Sequence, residues 1–142
     1  MRYDPRLVQP MRDELTRAGF EELRTPEAVD AALTQPEGTV LLVVNSVCGC
    51  AAGRARPGVL AALKHPAAPE RLTTVFAGMD VEATQKARSY LPGYGPSSPA
   101  IALFLDGRLV HMMERRDIEG REAEQIASTL RAAFDQFCVR AA

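Results

Sequence analysis

Residues 39–50 have the sequence Thr39-Val40-Leu41-Leu42-Val43-Val44-Asn45-Ser46-Val47-Cys48-Gly49-Cys50. Residues 39–45 form an apolar run rich in β-branched side chains, which predicts a strand buried on both faces, as in a parallel sheet. A helix-compatible segment follows, so two of the three cysteines lie at a predicted strand-to-helix junction. The unpaired N–H groups and positive dipole end of a helix N-terminus favour thiolate over thiol, which makes this junction a candidate site of thiol chemistry.

The composition is that of a globular protein, with 46% hydrophobic and 25% charged residues in 142. The formal net charge of -1 gives no overall field that would attract nucleic acid or an acidic membrane. No apolar run reaches membrane-spanning length, and three cysteines are too few for a disulfide-stapled secreted scaffold. We therefore expect a single domain over residues 1–142, located in the cytoplasm, with neither a nucleic-acid nor a membrane partner.

Turn signals and apolar spacing predict the other elements. Asp4 and Pro5 begin a helix that ends near Gly19, with Pro10 as its start or a kink, and Thr25 and Pro26 begin a second helix. Further predicted elements are a short link that could be a strand (20–23), a helix bent near Pro57 (51–64), a strand (72–77), a helix capped by Asp80 (80–91), two strands joined by an Asp106-Gly107 hairpin (100–105 and 109–113), and a long amphipathic helix ending before Cys138 (118–137).

This order predicts an α/β thioredoxin-like fold, with a central mixed sheet flanked by helices and additional N-terminal helical elements. A β-α-β crossover must be parallel, whereas the strands of the Asp106-Gly107 hairpin must be antiparallel. The same layout places Ser98-Pro99, just before a core strand, opposite the end of the strand that precedes Cys48. We expect a cis bond at Pro99, which would leave the backbone of Ser98 free to pair with an extended substrate.

Disulfide exchange needs an exposed thiolate as attacker. Cys48 directly follows the strand and is the predicted nucleophile, while Cys50 would resolve a mixed disulfide or modulate it. Closing a disulfide over one intervening residue makes a tight ring, and Gly49 is the residue best able to adopt the required backbone angles. The strain of such a bond leaves a route through Cys48 alone open as well.

The segment from Val44 to Pro57, centred on Cys48-Gly49-Cys50, resembles the signature of the bacilliredoxins, thioredoxin-like proteins of bacteria that make bacillithiol. The resemblance extends over nearly the whole chain, through the segments Val8-Gln9-Pro10-Met11-Arg12, Glu14-Leu15, Gly19-Phe20-Glu21-Glu22-Leu23, Val75-Phe76-Ala77-Gly78-Met79-Asp80, Pro96-Ser97-Ser98-Pro99, Ile118-Glu119-Gly120, and Ala133-Phe134-Asp135 with Cys138.

The resemblance implies removal of bacillithiol from mixed disulfides on S-bacillithiolated client proteins. Bacillithiol is then a co-substrate, a bacillithiol-disulfide reductase is a partner, and no cofactor or metal is bound. Arg54 and Arg56 are candidates for meeting the carboxylates of bacillithiol's malate group; the alternative for both is a solvated helix face. Asn45 and Ser46 are expected to bond the loop backbone.

Three alternatives stay open. One is a general disulfide isomerase or reductase. Another is a zinc or iron–sulfur site formed by Cys48, Cys50 and Cys138, although Cys-x-Cys lacks the usual ligand spacing. The third is an interaction module with incidental thiols. For Cys138 itself, packing as a small apolar residue is favoured over a redox role.

Overall fold

A five-stranded mixed sheet forms the centre of the protein in the computed structural model, which describes residues 3–138. The strands are β1 (Glu21–Glu22), β2 (Thr39–Asn45), β3 (Arg71–Phe76), β4 (Ala100–Leu105) and β5 (Arg108–Met113), in the spatial order β1-β3-β2-β4-β5. β1 and β2 both pair with β3 in parallel, and β4 is antiparallel to both β2 and β5. This confirms the predicted parallel crossover and antiparallel hairpin, and the link before the second helix is indeed a short strand.

The helices are α1 (Pro5–Thr16), α2 (Pro26–Leu33), α3 (Arg56–Ala62), α4 (Val81–Arg88), α5 (Arg115–Glu119) and α6 (Ala123–Phe137), with a π-helical turn (Ala51–Ala55) leading into α3. Asp4 accepts the Arg6 N–H at the start of α1, and Thr25 accepts the Ala28 N–H at the start of α2, as their residue types predict. α1 runs through Pro10. Within residues 3–138, no helix has the length and apolarity needed to cross a bilayer.

Every residue of β2 is buried, because helices cover both faces of the sheet. Leu41 and Val43 face a core layer that includes residues of α1, α3 and α6. Val40, Leu42 and Val44 face a second layer that includes residues of α2 and α4. The uninterrupted apolar run before the cysteines therefore follows from burial on both sides.

The predicted helix over 51–64 begins with a wider turn than an α-helix. The N–H of Arg56 bonds to the carbonyl of Ala51, five residues earlier, at the end of the π-helical turn. Pro57 follows at once and has no N–H to donate. The irregularity thus lies just before the proline, close to where the sequence predicts a bend.

The prediction of one helix over 118–137 is wrong. The chain forms α5, stops at Gly120, and starts again as α6. Each helix opens with reciprocal side-chain and backbone bonds: Glu114 with Asp117, and Glu122 with Gln125. These capping boxes satisfy the first N–H groups of two separate helices, which favours a break over one continuous helix.

Asp80 precedes α4 as predicted, but its side chain makes no capping bond. Its carboxylate instead accepts two hydrogen bonds from Arg12, at 2.9 and 3.0 Å, and one from the N–H of Phe76. Arg12 is 4% exposed, also contacts Glu22, and lies 5.1 Å from the centre of the Phe76 ring. Asp80 is thus the N-cap residue of α4, as predicted, but this buried cation takes up its carboxylate and ties α1 to the end of β3.

Gly58 allows α3 and α6 to approach closely. A Cβ at this position would lie 2.8 Å from Cγ2 of Ile126 and 3.0 Å from the carbonyl oxygen of Ala123. We expect Gly58→Ala to lower the free energy of unfolding, because overpacking costs about 1–3 kcal/mol and removing a helical glycine returns at most about 1 kcal/mol. Urea denaturation followed by circular dichroism measures the change.

Gly53→Ala is the matched control, since a Cβ at Gly53 would meet nothing within 4 Å. It should leave the urea midpoint unchanged or raise it slightly. A Gly58→Ala protein as stable as Gly53→Ala would contradict the close approach of the two helices.

Candidate active site

Side chains at the end of β2 hold the segment that carries the cysteines. The Oδ1 atom of Asn45 accepts the N–H of Ser46 at 2.9 Å, and the Oγ atom of Ser46 accepts the N–H of Cys48 at 3.0 Å. Asn45 also donates through Nδ2 to the carbonyl of Met11 in α1. The predicted role of Asn45 and Ser46 in bonding the loop backbone is confirmed.

Cys48 and Cys50 are both free, half-buried thiols. Burial by itself raises the pKa of Cys48, but hydrogen bonds from the N–H and thiol of Cys50, the positive charge of Arg115 and the N–H of Ala51 together lower it below that of an ordinary cysteine. The Cys50 N–H lies 3.4 Å from the Cys48 sulfur. The amides that begin the helical segment therefore favour the Cys48 thiolate.

Cys50 is shifted in the opposite direction. Burial raises its pKa, and so do its hydrogen bond to Cys48, the negative charge developing on Cys48, and Glu119, while Arg115 opposes the change. Oε2 of Glu119 lies 3.9 Å from the Cys50 sulfur and 3.1 Å from Nε of Arg115. The two thiols are thus differentiated: Cys48 is the readier thiolate and Cys50 holds its proton.

Cys48 opens into a cleft of about 530 Å³ at the carboxyl end of β2. The residues that line it are Tyr3, Ser46, Val47, Cys48, Ala77, Gly78, Arg88, Ser98 and Arg115. Ser98 precedes a cis peptide bond to Pro99, which confirms the expected isomer. The fold therefore brings Ser98 and Cys48 to the same cleft, as the topology predicts.

The two arginines predicted to meet substrate do not line this cleft. Arg56 is 2% exposed; its Nη1 donates to Oδ1 of Asn45 and to the carbonyl of Ser46, and its Nε lies 3.0 Å from the carboxylate of Glu14. A side chain buried this way reaches neither substrate nor solvent, so both predictions for Arg56 are wrong. It holds the cysteine-bearing segment from beneath.

Arg54 is directed towards the start of α6. Its Nη1 donates to the carbonyl of Arg121 at 2.8 Å and lies 3.4 Å from Glu122. The structure therefore gives Arg54 a contact between helices, not a place in the cleft.

The arginines that do line the cleft, Arg88 and Arg115, were missed by the sequence analysis. Arg88 ends α4 and Arg115 begins α5, so only the folded chain brings them to Cys48. No local motif marks either residue. The one available signal concerned Arg115, which follows the predicted hairpin. A thioredoxin-like topology brings the end of this hairpin near the start of the helix that follows the cysteines.

Gly49 has open space around it, since a Cβ there would meet nothing within 4 Å. Its φ angle is not among the positive values found at five other glycines in residues 3–138. When both cysteines are thiols, the backbone angles and the space at position 49 therefore do not require glycine. Its role in closing a Cys48–Cys50 disulfide stays a prediction.

Cys138 lies far from the other two thiols. It is buried in the core layer with α6, where burial raises its pKa, and it bonds to Thr39. Thr39 begins β2, whereas Cys48 follows the end of the same strand. Across residues 3–138, no three potential ligands among His, Cys, Asp and Glu cluster as a metal site requires. The structure therefore does not bring Cys48, Cys50 and Cys138 together as the metal alternative requires, and it confirms that Cys138 packs in the core.

Arg56 and Arg54 lie two residues apart yet should differ sharply in their effect on stability. We expect Arg56→Met to lower the free energy of unfolding by about 3 kcal/mol or more, because it leaves a buried polar cluster unpaired. Arg54→Met should cost less than about 1 kcal/mol, as for an exposed ion pair. Urea denaturation of both variants tests this.

Arg56→Lys retains the charge without the forked geometry and should fall between the other two. It also provides a measurable variant if Arg56→Met fails to fold. Equal midpoints for Arg54→Met and Arg56→Lys would contradict the assigned role.

Arg115 should control the ionisation of Cys48. Because its positive charge favours the thiolate, Arg115→Met should raise the pKa of Cys48. Thiolate forms above the pKa, so the pH profile of Cys48 alkylation by iodoacetamide should move to higher pH. Mass spectrometry identifies the Cys48 adduct at each pH.

Arg116→Met is the neighbouring control, since Arg116 is exposed and pairs with Glu114. Its alkylation profile should match that of the wild type. An unshifted profile for Arg115→Met would show that the charge of Arg115 does not act on Cys48.

Solved structures similar to this one include thioredoxins. Mitochondrial thioredoxin 3 from Saccharomyces cerevisiae superposes with a TM-score of 0.59 at 13% identity, covering 87% of this chain and 99% of that one. Thioredoxin O2 from Arabidopsis thaliana gives a TM-score of 0.54 at 17% identity, covering 87% and 97%. At such low identity the likeness shows the fold alone, and it confirms the predicted thioredoxin-like architecture.

Proteins with similar sequences identify the family to which the chain belongs. A family model described as disulphide isomerase matches residues 3–138. A bacilliredoxin from Cytophaga hutchinsonii is 58% identical over 134 residues, covering 94% of this chain and 98% of the relative. A bacilliredoxin from Koribacter versatilis is 56% identical over 136 residues, covering 96% and 94%. The chain therefore belongs to the bacilliredoxin family of thioredoxin-like oxidoreductases.

Proposed function

We propose that this protein removes bacillithiol from S-bacillithiolated client proteins by thiol–disulfide exchange at Cys48. The observation that carries the proposal is the differentiation of the two thiols. Cys48 has a lowered pKa and faces an open cleft, while Cys50 keeps its proton and directs its N–H at the Cys48 sulfur. The names of the relatives supply the substrate class.

In the first step the Cys48 thiolate attacks the bacillithiol sulfur of the mixed disulfide. The bond between client and bacillithiol breaks, a bond between Cys48 and bacillithiol forms, and the client leaves as a thiolate that takes a proton from water. The N–H groups of Cys50 and Ala51 favour the thiolate before attack. One disulfide is exchanged for another, so no outside oxidant or reductant enters this step.

In the second step the Cys50 thiolate attacks Cys48, forms the Cys48–Cys50 disulfide and releases bacillithiol. Cys50 must first lose its proton, and the carboxylate of Glu119 lies 3.9 Å from its sulfur. A second bacillithiol can instead attack the Cys48 adduct directly, which releases bacillithiol disulfide for its reductase. Burial and the charge of Glu119 raise the pKa of Cys50 in the adduct as well, which disfavours the first of these routes, whereas the second needs no thiolate at Cys50.

The proposal includes no bound cofactor and a cytoplasmic location, where a reducing environment keeps the three cysteines as thiols. A second candidate function is general disulfide isomerisation or reduction. The matched family model is described by that activity, and the cleft places Ser98 beside Cys48, where an extended protein segment can lie.

The test is to present a bacillithiolated client protein to wild type, Cys48→Ala and Cys50→Ala, and to measure free client thiol with time. We expect Cys48→Ala to lose the activity, because Cys48 is the cysteine that lines the cleft within residues 3–138. Cys50→Ala should still release the client but accumulate bacillithiol on Cys48, which intact-mass spectrometry detects.

Cys138→Ser is the matched control, because this thiol is buried at the other end of β2 and should not take part. Client release by Cys48→Ala at the wild-type rate would overturn the assignment. If wild type is inactive on the bacillithiolated client but reactivates a protein with scrambled disulfides, the second candidate function replaces the first.

A further inference from the structure

Among residues 3–138, the cleft beside Cys48 is lined by two cations and by no carboxylate. Arg88 and Arg115 are the charged residues among those that line it. A cleft in which the charged side chains are positive attracts anions and raises their local concentration next to the reacting sulfur. Its volume of about 530 Å³ falls within the range of sites for small molecules.

Arg88 lacks the partner that the buried arginines have. Its one hydrogen bond within residues 3–138 runs from Nη2 to the carbonyl of Ser97, at 3.4 Å, and its buried Nε bonds to nothing there. Arg12 and Arg56, by contrast, each lie within 3.0 Å of a carboxylate oxygen, although the Nε of Arg56 likewise makes no hydrogen bond. Burial also lowers the pKa of Arg88, as expected when no nearby anion compensates.

Arg115 is the less available of the two cations. It is about half-exposed, and its Nε lies 3.1 Å from Glu119, so part of its charge is already compensated. Its charge also acts on the Cys48 sulfur, where it favours the thiolate. Arg88 is therefore the cation that is more available to a ligand.

We propose that Arg88, assisted by Arg115, binds a carboxylate of the small thiol in the mixed disulfide and so determines which disulfides the protein accepts. This inference rests on the proposed function. It assigns the recognition of carboxylates to Arg88 and Arg115, which line the cleft, in place of Arg54 and Arg56. A charge-assisted bond to a guanidinium fork is the strongest contact that such a ligand finds there.

The contact also determines which sulfur is attacked. A carboxylate held by Arg88 places the sulfur of the small thiol, not that of the client, next to Cys48. Attack then forms the bond between Cys48 and the small thiol and expels the client as a thiolate. The opposite orientation would leave the client bound to the protein, so this contact directs release.

The test uses one client protein with a single cysteine, prepared as a mixed disulfide with mercaptosuccinate, which carries carboxylates, or with 2-mercaptoethanol, which is neutral. Wild type should release the client from the mercaptosuccinate form about tenfold faster or more, roughly the effect of one charge-assisted bond. Arg88→Met should lower that rate about tenfold and slow release from the mercaptoethanol form less, so that the ratio of the two rates falls. Arg88→Lys should restore part of the preference.

Arg108→Met is the control for loss of one positive charge, because Arg108 begins β5 opposite Leu105 and so lies at the far end of the sheet from Cys48. It should keep the wild-type preference. The Cys48 alkylation profile of Arg88→Met separates ligand binding from an effect on the thiol, because a shifted profile would slow release from both forms, whereas lost ligand binding slows release from the mercaptosuccinate form.

The outcomes separate this inference from the proposed function. If wild type releases the client from neither form, and not from the bacillithiolated form, the proposed function fails. Release from both forms at equal rates, or equal slowing of both by Arg88→Met, overturns the inference while leaving exchange at Cys48 intact. A last comparison uses a client with Glu beside its cysteine. If the release rate follows the charge on the client instead of the charge on the small thiol, the inference is also overturned.

Discussion

The site depends on one buried cation. The guanidinium of Arg56 joins Glu14 of α1, Asn45 at the end of β2 and the carbonyl of Ser46, so three separate parts of the chain meet beneath the cysteines. Removing a charge from water is costly unless it is paired and hydrogen-bonded, which makes this arrangement hard to rearrange. A second buried cation, Arg12 with Asp80, fixes the same helix to the end of β3. The segment that presents Cys48 is therefore held on two sides before any chemistry takes place.

Given that support, the reactivity of Cys48 comes mainly from backbone amides and one nearby arginine. The helical segment begins at the cysteines and offers N–H groups that have no carbonyl partner within the helix. Two of them, from Cys50 and Ala51, favour the Cys48 thiolate, and Arg115 adds a positive charge. The same positions leave Cys50 protonated beside Glu119. One short segment thus gives two identical side chains opposite shifts in pKa, lowered at Cys48 and raised at Cys50.

Local signals in the sequence were enough to predict most of the fold. The apolar run of β2, the caps Asp4 and Thr25, and the Asp106-Gly107 turn each determine their element through nearby residues.

The site was only partly predictable. Arg54 and Arg56 are two residues apart, and helical positions with that spacing face different directions. Arg56 is therefore buried, whereas Arg54 contacts the start of α6. Arg88 and Arg115 are distant in sequence and share a cleft only through tertiary packing. The break before α6 was missed because apolar spacing continues across it, although Glu122 and Gln125 carry a capping pattern.

The placement of Cys138 has a consequence for how opening of the fold can be followed. This cysteine is 8% exposed and packs in the core at the end of α6, beside the first residue of β2 and at the opposite end of that strand from Cys48. We expect a reagent that modifies the cleft thiols of the native protein to reach Cys138 more slowly, at a rate that rises when the end of α6 detaches from the sheet. The chain thus contains its own probe of local unfolding. The rate at which Cys138 is modified measures the free energy of that detachment, independently of the redox state of the other two thiols.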